Sequence, residues 1–488
     1  MARKSWWNGT TRKSRGPAAR PRRARPLALE QLEDRVTPAV VFNQVFGVET
    51  DKQDGNAVLN SPPVFLIFWG SYWSTHASDV ANVRGAVSNV VSSAYLSGIS
   101  QYGSNGIATL SPVTDFSTSA DPSNGGFKGS DIDDVVQNEI DNNVLPESDG
   151  AGPQTPIYAV ITPPGIKSSL GGNVAGFNRQ GLDTDVFFDP FPNVDSDDIP
   201  EIWCSTNSTG TTATSGPVNV NNFSLIFSHE TAELMSDTGG GGYKVNPGAQ
   251  WTGGGQGNQI GDYEGNSYFF PEPNGAFVQP FWSRADQGWL AADGNSLRVN
   301  VNPIWNTDAS GNPSVSGGWT GQASLVVNGG QLPLGLPDTI TLDNAPGGGV
   351  QVTMDGQVTN FPANFIAQGI TINLGDAAGS TVNVRNLPAN LPLTIHGVRD
   401  DTINVGANGS VQGILSKITI DNLDLSNTIT VDDSADKVAR TVTLSSFLAA
   451  SGGFYGSLTG LAPAEIDYAS FDTASITVKT GSGGDVVN

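Results

Sequence analysis

The sequence predicts two unlike parts: an α/β domain over residues 41–294, then an all-β repeat region, β-solenoid-like, over 338–488. Three observations point there. Only 15% of the residues are charged, while Gly numbers 60 and Pro 30, a composition that favours β-rich, turn-rich architecture over helical bundles or coiled coils. All ten Trp lie at or before Trp319. Apolar runs alternate with helical periodicities in the first part, whereas the second reads as short period-two strands between Gly, Asp and Asn turns.

The chain begins with a basic leader, residues 1–40, in which ten Arg or Lys face three acids for a net +7. The other 448 residues hold 14 bases and 44 acids, a net −30. So acidic a body repels phosphate, which excludes nucleic acid as a partner outside the leader. The Arg/Pro/Ala-rich stretch cannot bury a core and is expected to be disordered. It lacks the apolar stretch of a secretion signal. No run approaches about 18 apolar residues, so no transmembrane helix is expected. The single Cys204 excludes an intramolecular disulfide.

In the α/β part, Pro63–Trp69 is a short apolar run expected as a buried strand. Val80, Val83, Val87 and Val90 recur at helical spacing after it, and Ile132, Val135, Val136 and Ile140 mark a second helix. Ile157–Ile161 is a second buried strand, stopped by Pro163 and Pro164, and a third helix spans about 222–237. Residues 295–337, rich in Gly, Asn, Pro and Ser, are expected to be a linker or an irregular bridging strand pair. Beyond them a pattern recurs at Asp338–Leu342, Ser380–Val384, Asp401–Val405, Asn427–Val431 and Asp485–Asn488. Its alternation gives each copy one buried face. Its uneven spacing suits a parallel β-solenoid or stacked hairpins. The surrounding Asp and Gly residues raise Ca²⁺ in the repeat turns as a candidate.

The chemistry concentrates at Ser228-His229-Glu230-Thr231-Ala232-Glu233. On a helix, His229 and Glu233 project from one face, within reach of one ion. Glu230 lies about 100° round the axis, placed for a water beside that ion rather than for the ion itself. This is the geometry of His-Glu-x-x-His zinc hydrolases with a carboxylate in place of the second imidazole. A third ligand is needed, and Asp262, Glu264 and Asp237 are the candidates; Asp262 and Glu264 share a side if their segment is extended. His76 and His396 are expected in surface or capping roles. Trp251, Tyr268, Trp282 and Trp289 are expected to pack in the core or under loops, a carbohydrate groove being the other reading.

Two resemblances add to this. Leu29-Glu30-Gln31-Leu32-Glu33-Asp34-Arg35 resembles an N-terminal motif of bacterial surface and secreted proteins, which implies an extracytoplasmic location, secreted or at the cell surface. Ser228–Glu233, Gly242-Tyr243, Gln259-Ile260-Gly261-Asp262 and Val278-Gln279-Pro280-Phe281-Trp282-Ser283 resemble blocks of secreted bacterial zincin-like proteins, distantly similar to the exordium, or phosphate-induced, proteins. That resemblance covers roughly residues 42–294. It implies a zincin-like domain and a zinc metallopeptidase acting on a polypeptide. His229 and Glu233 would be ligands, Asp262 the third, Glu230 the general base, and Tyr243 or Tyr263 a donor to the developing oxyanion. Gln259 stands where those proteins carry Glu, and Glu264 is the residue placed to compensate. The other class is a non-catalytic surface protein on a degenerate scaffold, its repeats contacting a cell-envelope or matrix polymer.

Overall fold

The computed structural model describes residues 39–53, 58–123, 126–147, 155–169, 174–181, 199–206, 217–238, 243–253, 258–272, 274–292, 298–329, 337–375, 379–450 and 452–488. The leader up to residue 38 lies outside them. Strands hold 40% and helices 17% of what is described, in large mixed sheets. This corrects the expected fold class. The protein is not an α/β zincin-like domain followed by a β-solenoid-like region.

The part nearest the expectation is a five-stranded sheet built from β1 (Pro63–Phe68), β2 (Thr109–Phe116), β3 (Ile157–Ile161), β4 (Gly176–Gly181) and β5 (Ile199–Cys204), in the order β2-β1-β3-β5-β4. The first four are parallel, and β4 runs antiparallel along the β5 edge. The uninterrupted apolar runs of β1 and β3 are explained by burial on both faces. Helices α1 (Ala77–Ser92) and α3 (Val220–Ser236) pack on one face, where Val83, Val87, Phe223 and Phe227 meet Leu66, Phe68, Ala159 and Ile202. Helix α2 (Gly129–Asp141) covers the other, with Ile132, Val135 and Val136 on Ile67, Val160 and Trp203.

The rest of the N-terminal half is strand. Ala39–Phe42 lies between Gly288–Ala292, antiparallel to it, and Arg298–Trp305, parallel to it, within a twelve-stranded sheet. The segment 295–337 carries two long antiparallel strands of that sheet, Arg298–Trp305 and Trp319–Asn328. The sheet therefore runs on from the first part of the chain into the second.

From Thr339 onward the chain alternates between this sheet and a seven-stranded one. Ile340, Val382, Ile403, Ile429 and Ile476 align in register across the parallel strands of the seven-stranded sheet. Ile370, Leu393, Ile418 and Ile466 do the same opposite. Alternate residues are buried, so each strand contributes a row to the core between the sheets. Two antiparallel hairpins, Val350–Met354 with Gln357–Phe361 and Thr441–Leu448 with Phe454–Thr459, interrupt the ladder. They account for the uneven spacing of the pattern. Four of its five expected copies are neighbours in one sheet. The copy at Asp485–Asn488 instead pairs with Thr441–Leu448, and Thr473–Lys479 takes the fifth place.

Candidate metal centre

Helix α3 supplies the first part of the site. The Asn219 side chain caps it by accepting from the Asn222 N–H at 3.0 Å. Phe223, Phe227, Leu234 and Met235 anchor it in the core. That fixes the azimuth of His229, Glu230 and Glu233, which point toward β4 and the 259–264 turn. His229 Nε2 lies 3.3 Å from Glu233 Oε2.

The turn supplies the rest. Asp262 Oδ2 accepts from the Gln259 N–H at 3.0 Å, and the Gly261 N–H donates to Glu233 Oε1 at 3.2 Å. One ligand-type atom from each of His229, Glu233 and Asp262 falls within 4.8 Å of the other two. Among the described residues no other group of three His, Cys, Asp or Glu side chains comes so close. Gly261 is required here: a methyl at its Cα would lie 2.6 Å from His229 Nδ1 and 2.9 Å from Glu233 Oε1.

Glu264, expected beside Asp262, is not in this group. Tyr263 has φ 58°, a left-handed conformation that turns the chain between the two acids, so they do not share a side as an extended segment would require. Glu264 is buried instead against the N-terminal strand region, accepting from the Val45 N–H at 2.8 Å, the Phe46 N–H at 3.3 Å and the Tyr268 hydroxyl. Asp237 is the C-cap of α3 and also lies outside the group. Tyr243, expected as an oxyanion donor, is buried with its ring 4.6 Å from that of Tyr102 and the Arg284 guanidinium 5.1 Å above it. Its contacts are with those residues and not with the His229 group. His76 stacks on Tyr72, and His396 pairs with Asp421 at 2.6 Å, as surface roles require. Trp282, Trp289 and Tyr268 are buried in the core, and Trp251 is half-buried against it, edge-on to Phe46 and Trp305. In the repeat turns the acids already serve the backbone: Asp401 accepts from the N–H groups of Ser380, Val398 and Arg399, and Asp433 from that of Val411.

Two residues with no assigned role in the sequence complete the centre. Asn178 on β4 donates through Nδ2 to Glu230 Oε2 at 2.8 Å and to Glu233 Oε2 at 2.9 Å. The Gln279 backbone N–H donates to Ser228 Oγ at 3.0 Å, while its Nε2 donates to the Gly261 carbonyl at 2.7 Å and lies 2.6 Å from His229 Nδ1. Gln279 thereby ties helix, turn and the strand region after Phe277 together. It sat inside a recognised sequence block; Asn178 had no signal beyond its type.

Three carboxyls around one imidazole in a dry setting strain its electrostatics. Burial alone would lower the His229 pKa, but Glu233, then Glu230 and Asp262, outweigh it and raise it to about 10. Burial pushes Glu230 up to about 8, Glu233 adding to the shift. Burial, with Glu233 again, lifts Asp262 to about 6. One imidazole nitrogen with two carboxylates is a zinc-type donor set, and the excess of anionic groups over His229 is what a divalent cation would neutralise. The residues fit such an ion.

No protein family, curated protein or solved structure matches the chain. No helix among the described residues is long and apolar enough to cross a membrane.

Proposed function

We propose that the protein is a metal-dependent hydrolase of peptide bonds, with His229, Glu233 and Asp262 holding a zinc ion and Glu230 acting as general base. The observation that carries this reading is the convergence of one imidazole and two carboxylates within 4.8 Å of one another between helix α3 and the 259–264 turn, with Glu230 tied to the same Asn178 amide as Glu233. A zinc ion so held supplies Lewis-acid chemistry, activating water and polarising a carbonyl. Glu230 takes the proton that water gives up and returns it to the leaving amine. Asn178 keeps the Glu230 carboxylate from swinging away, and Gln279 holds the His229 ring.

The leader motif supports a secreted or surface location. The substrate is then an external polypeptide, the acidic body gives no footing to nucleic acid, and the C-terminal sheets are a module for contact with an envelope or matrix polymer. The packing of Tyr243 away from the centre favours one alternative, a metal-holding surface protein without hydrolytic activity. Metal analysis of the purified chain, with casein hydrolysis measured for wild type and Glu230→Gln, separates them. The hydrolase reading expects about one zinc per chain in both and a loss of hydrolysis of about 10²-fold or more in the variant. Protein without zinc, or a variant that hydrolyses casein as well as wild type, overturns it. Stoichiometric zinc with no hydrolysis in either supports the alternative.

A further inference from the structure

Gln259 stands where the proteins that the sequence resembles carry Glu. The structure gives it another place. Its Nε2 donates to Asn178 Oδ1 at 3.2 Å, and its backbone N–H donates to Asp262 Oδ2 at 3.0 Å. Asn178 sits on β4, whose backbone is fixed by antiparallel pairing with β5, Asn178 opposite Ile202. The amide of Asn178 is then placed by its side-chain torsions, and its hydrogen bonds choose between two flipped orientations. In one orientation its NH₂ faces Glu230 and Glu233 and its oxygen faces Gln259, so all three partners are satisfied. In the other, its NH₂ faces the Gln259 NH₂, which cannot accept, and the donor shared by Glu230 and Glu233 is lost. A carboxyl oxygen at 259 would remove the donor that selects the first orientation.

We propose that Gln259 is a positioning residue: by donating to Asn178 Oδ1 it holds the Asn178 NH₂ across Glu230 and Glu233, and so sets both carboxylates in the arrangement that receives the ion and the water. The proposal rests on the metal reading of the centre. It makes the neutral amide a working part of the site, and it accounts for Glu230 and Glu233 lying side by side on one donor although both are acids.

The test is zinc affinity of the full chain, by competition with a chromophoric chelator, for wild type, Gln259→Met, Asn178→Leu and the double variant. The substituted side chains are of similar size and make no hydrogen bond. Each single variant is expected to bind zinc about tenfold more weakly or worse, as loss of an outer partner does elsewhere. The double variant is expected to bind no more weakly than the poorer single, because both break one linkage. The Tm of zinc-free Gln259→Met is expected to stay close to wild type, which a merely structural role would not allow alongside the affinity loss. Single variants that bind as wild type does, or losses that multiply in the double, overturn the proposal and leave the metal reading standing. Wild type that binds no zinc overturns both. If Asn178→Leu does not fold, Gln259→Glu decides: added charge alone predicts tighter zinc binding, and lost positioning predicts weaker.

Discussion

His229 is surrounded by groups that favour a positive charge at its position, whether a proton or a cation supplies it. The two compete. With Asp262 raised to about 6, Glu230 to about 8 and His229 to about 10, protons must leave for a divalent ion to enter. Apparent zinc affinity is therefore expected to rise with pH between about 6 and 9, with net proton release. Calorimetric titration in buffers of different ionisation enthalpy measures that release; a buffer-independent heat would contradict it. At this scale the sequence was informative where chemistry is scarce. One of three His and a Glu four residues on define a face of a helix whatever the fold. It misled at Glu264, because the left-handed Tyr263 between the two acids has no signature in residue type. It was silent on Asn178, whose role depends on which strand lies beside α3.

The elements meet at the centre with little room. Gly261 and Gly176 are the points of closest approach. A methyl at 176 would come within 2.4 Å of Ile226 Cγ2 and 2.7 Å of Glu230 Oε1. Gly261→Ala is expected to displace His229 or Glu233, cost about 1–3 kcal/mol of stability as overpacking does, and weaken zinc binding; chemical denaturation and the chelator assay read the two effects. Capping gives a milder element-scale expectation. Asn219→Ala should cost about 1 kcal/mol while leaving the site geometry intact. Helices α1, α2 and α3 were legible because their apolar spacing survives without context. The strands of the second sheet were not: Ile366–Asn373, Leu393–Gly397 and Ile418–Asn422 have the same alternation as the recognised pattern but lack its Asp or Asn start. The segment expected as a linker or strand pair is two long strands, because Asn, Ser and Gly are tolerated on a partly solvated sheet face.

Across the whole molecule, several carboxyls are buried as acids rather than as ions. Burial raises Glu49 to about 9, Glu201 to about 10 and Glu272 to about 8. For Glu201, Asp133 beside it adds to the shift. A group whose folded pKa lies above its unfolded value contributes stability that is complete below the unfolded pKa and is lost as pH rises through the folded one. All three act in the same direction, over the window from about 4.5 to about 10, as does His229 above about 6.5. Thermal unfolding is expected to show a higher Tm near about pH 5 than near about pH 9.5; a flat or inverted profile would contradict the burial of these acids in neutral form. One sheet carries strands from both of the parts read from composition. The loss of Trp after residue 319 goes with a change in packing, from aromatic to mostly aliphatic, within that continuous sheet.

That continuity rests on four residues. Ala39–Phe42 joins Gly288–Ala292 to Arg298–Trp305, and among the described residues no other strand lies between those two in the sheet order. The first described strand to leave the ribosome thus waits for partners made roughly 250 residues later, so the seam closes after the more local contacts of the first part have become possible. Trimming from the N-terminus sets a sharp limit for the same reason: removal up to residue 36 leaves the seam whole, whereas removal through Phe42 exposes two strand edges at once, each a template for pairing with another molecule.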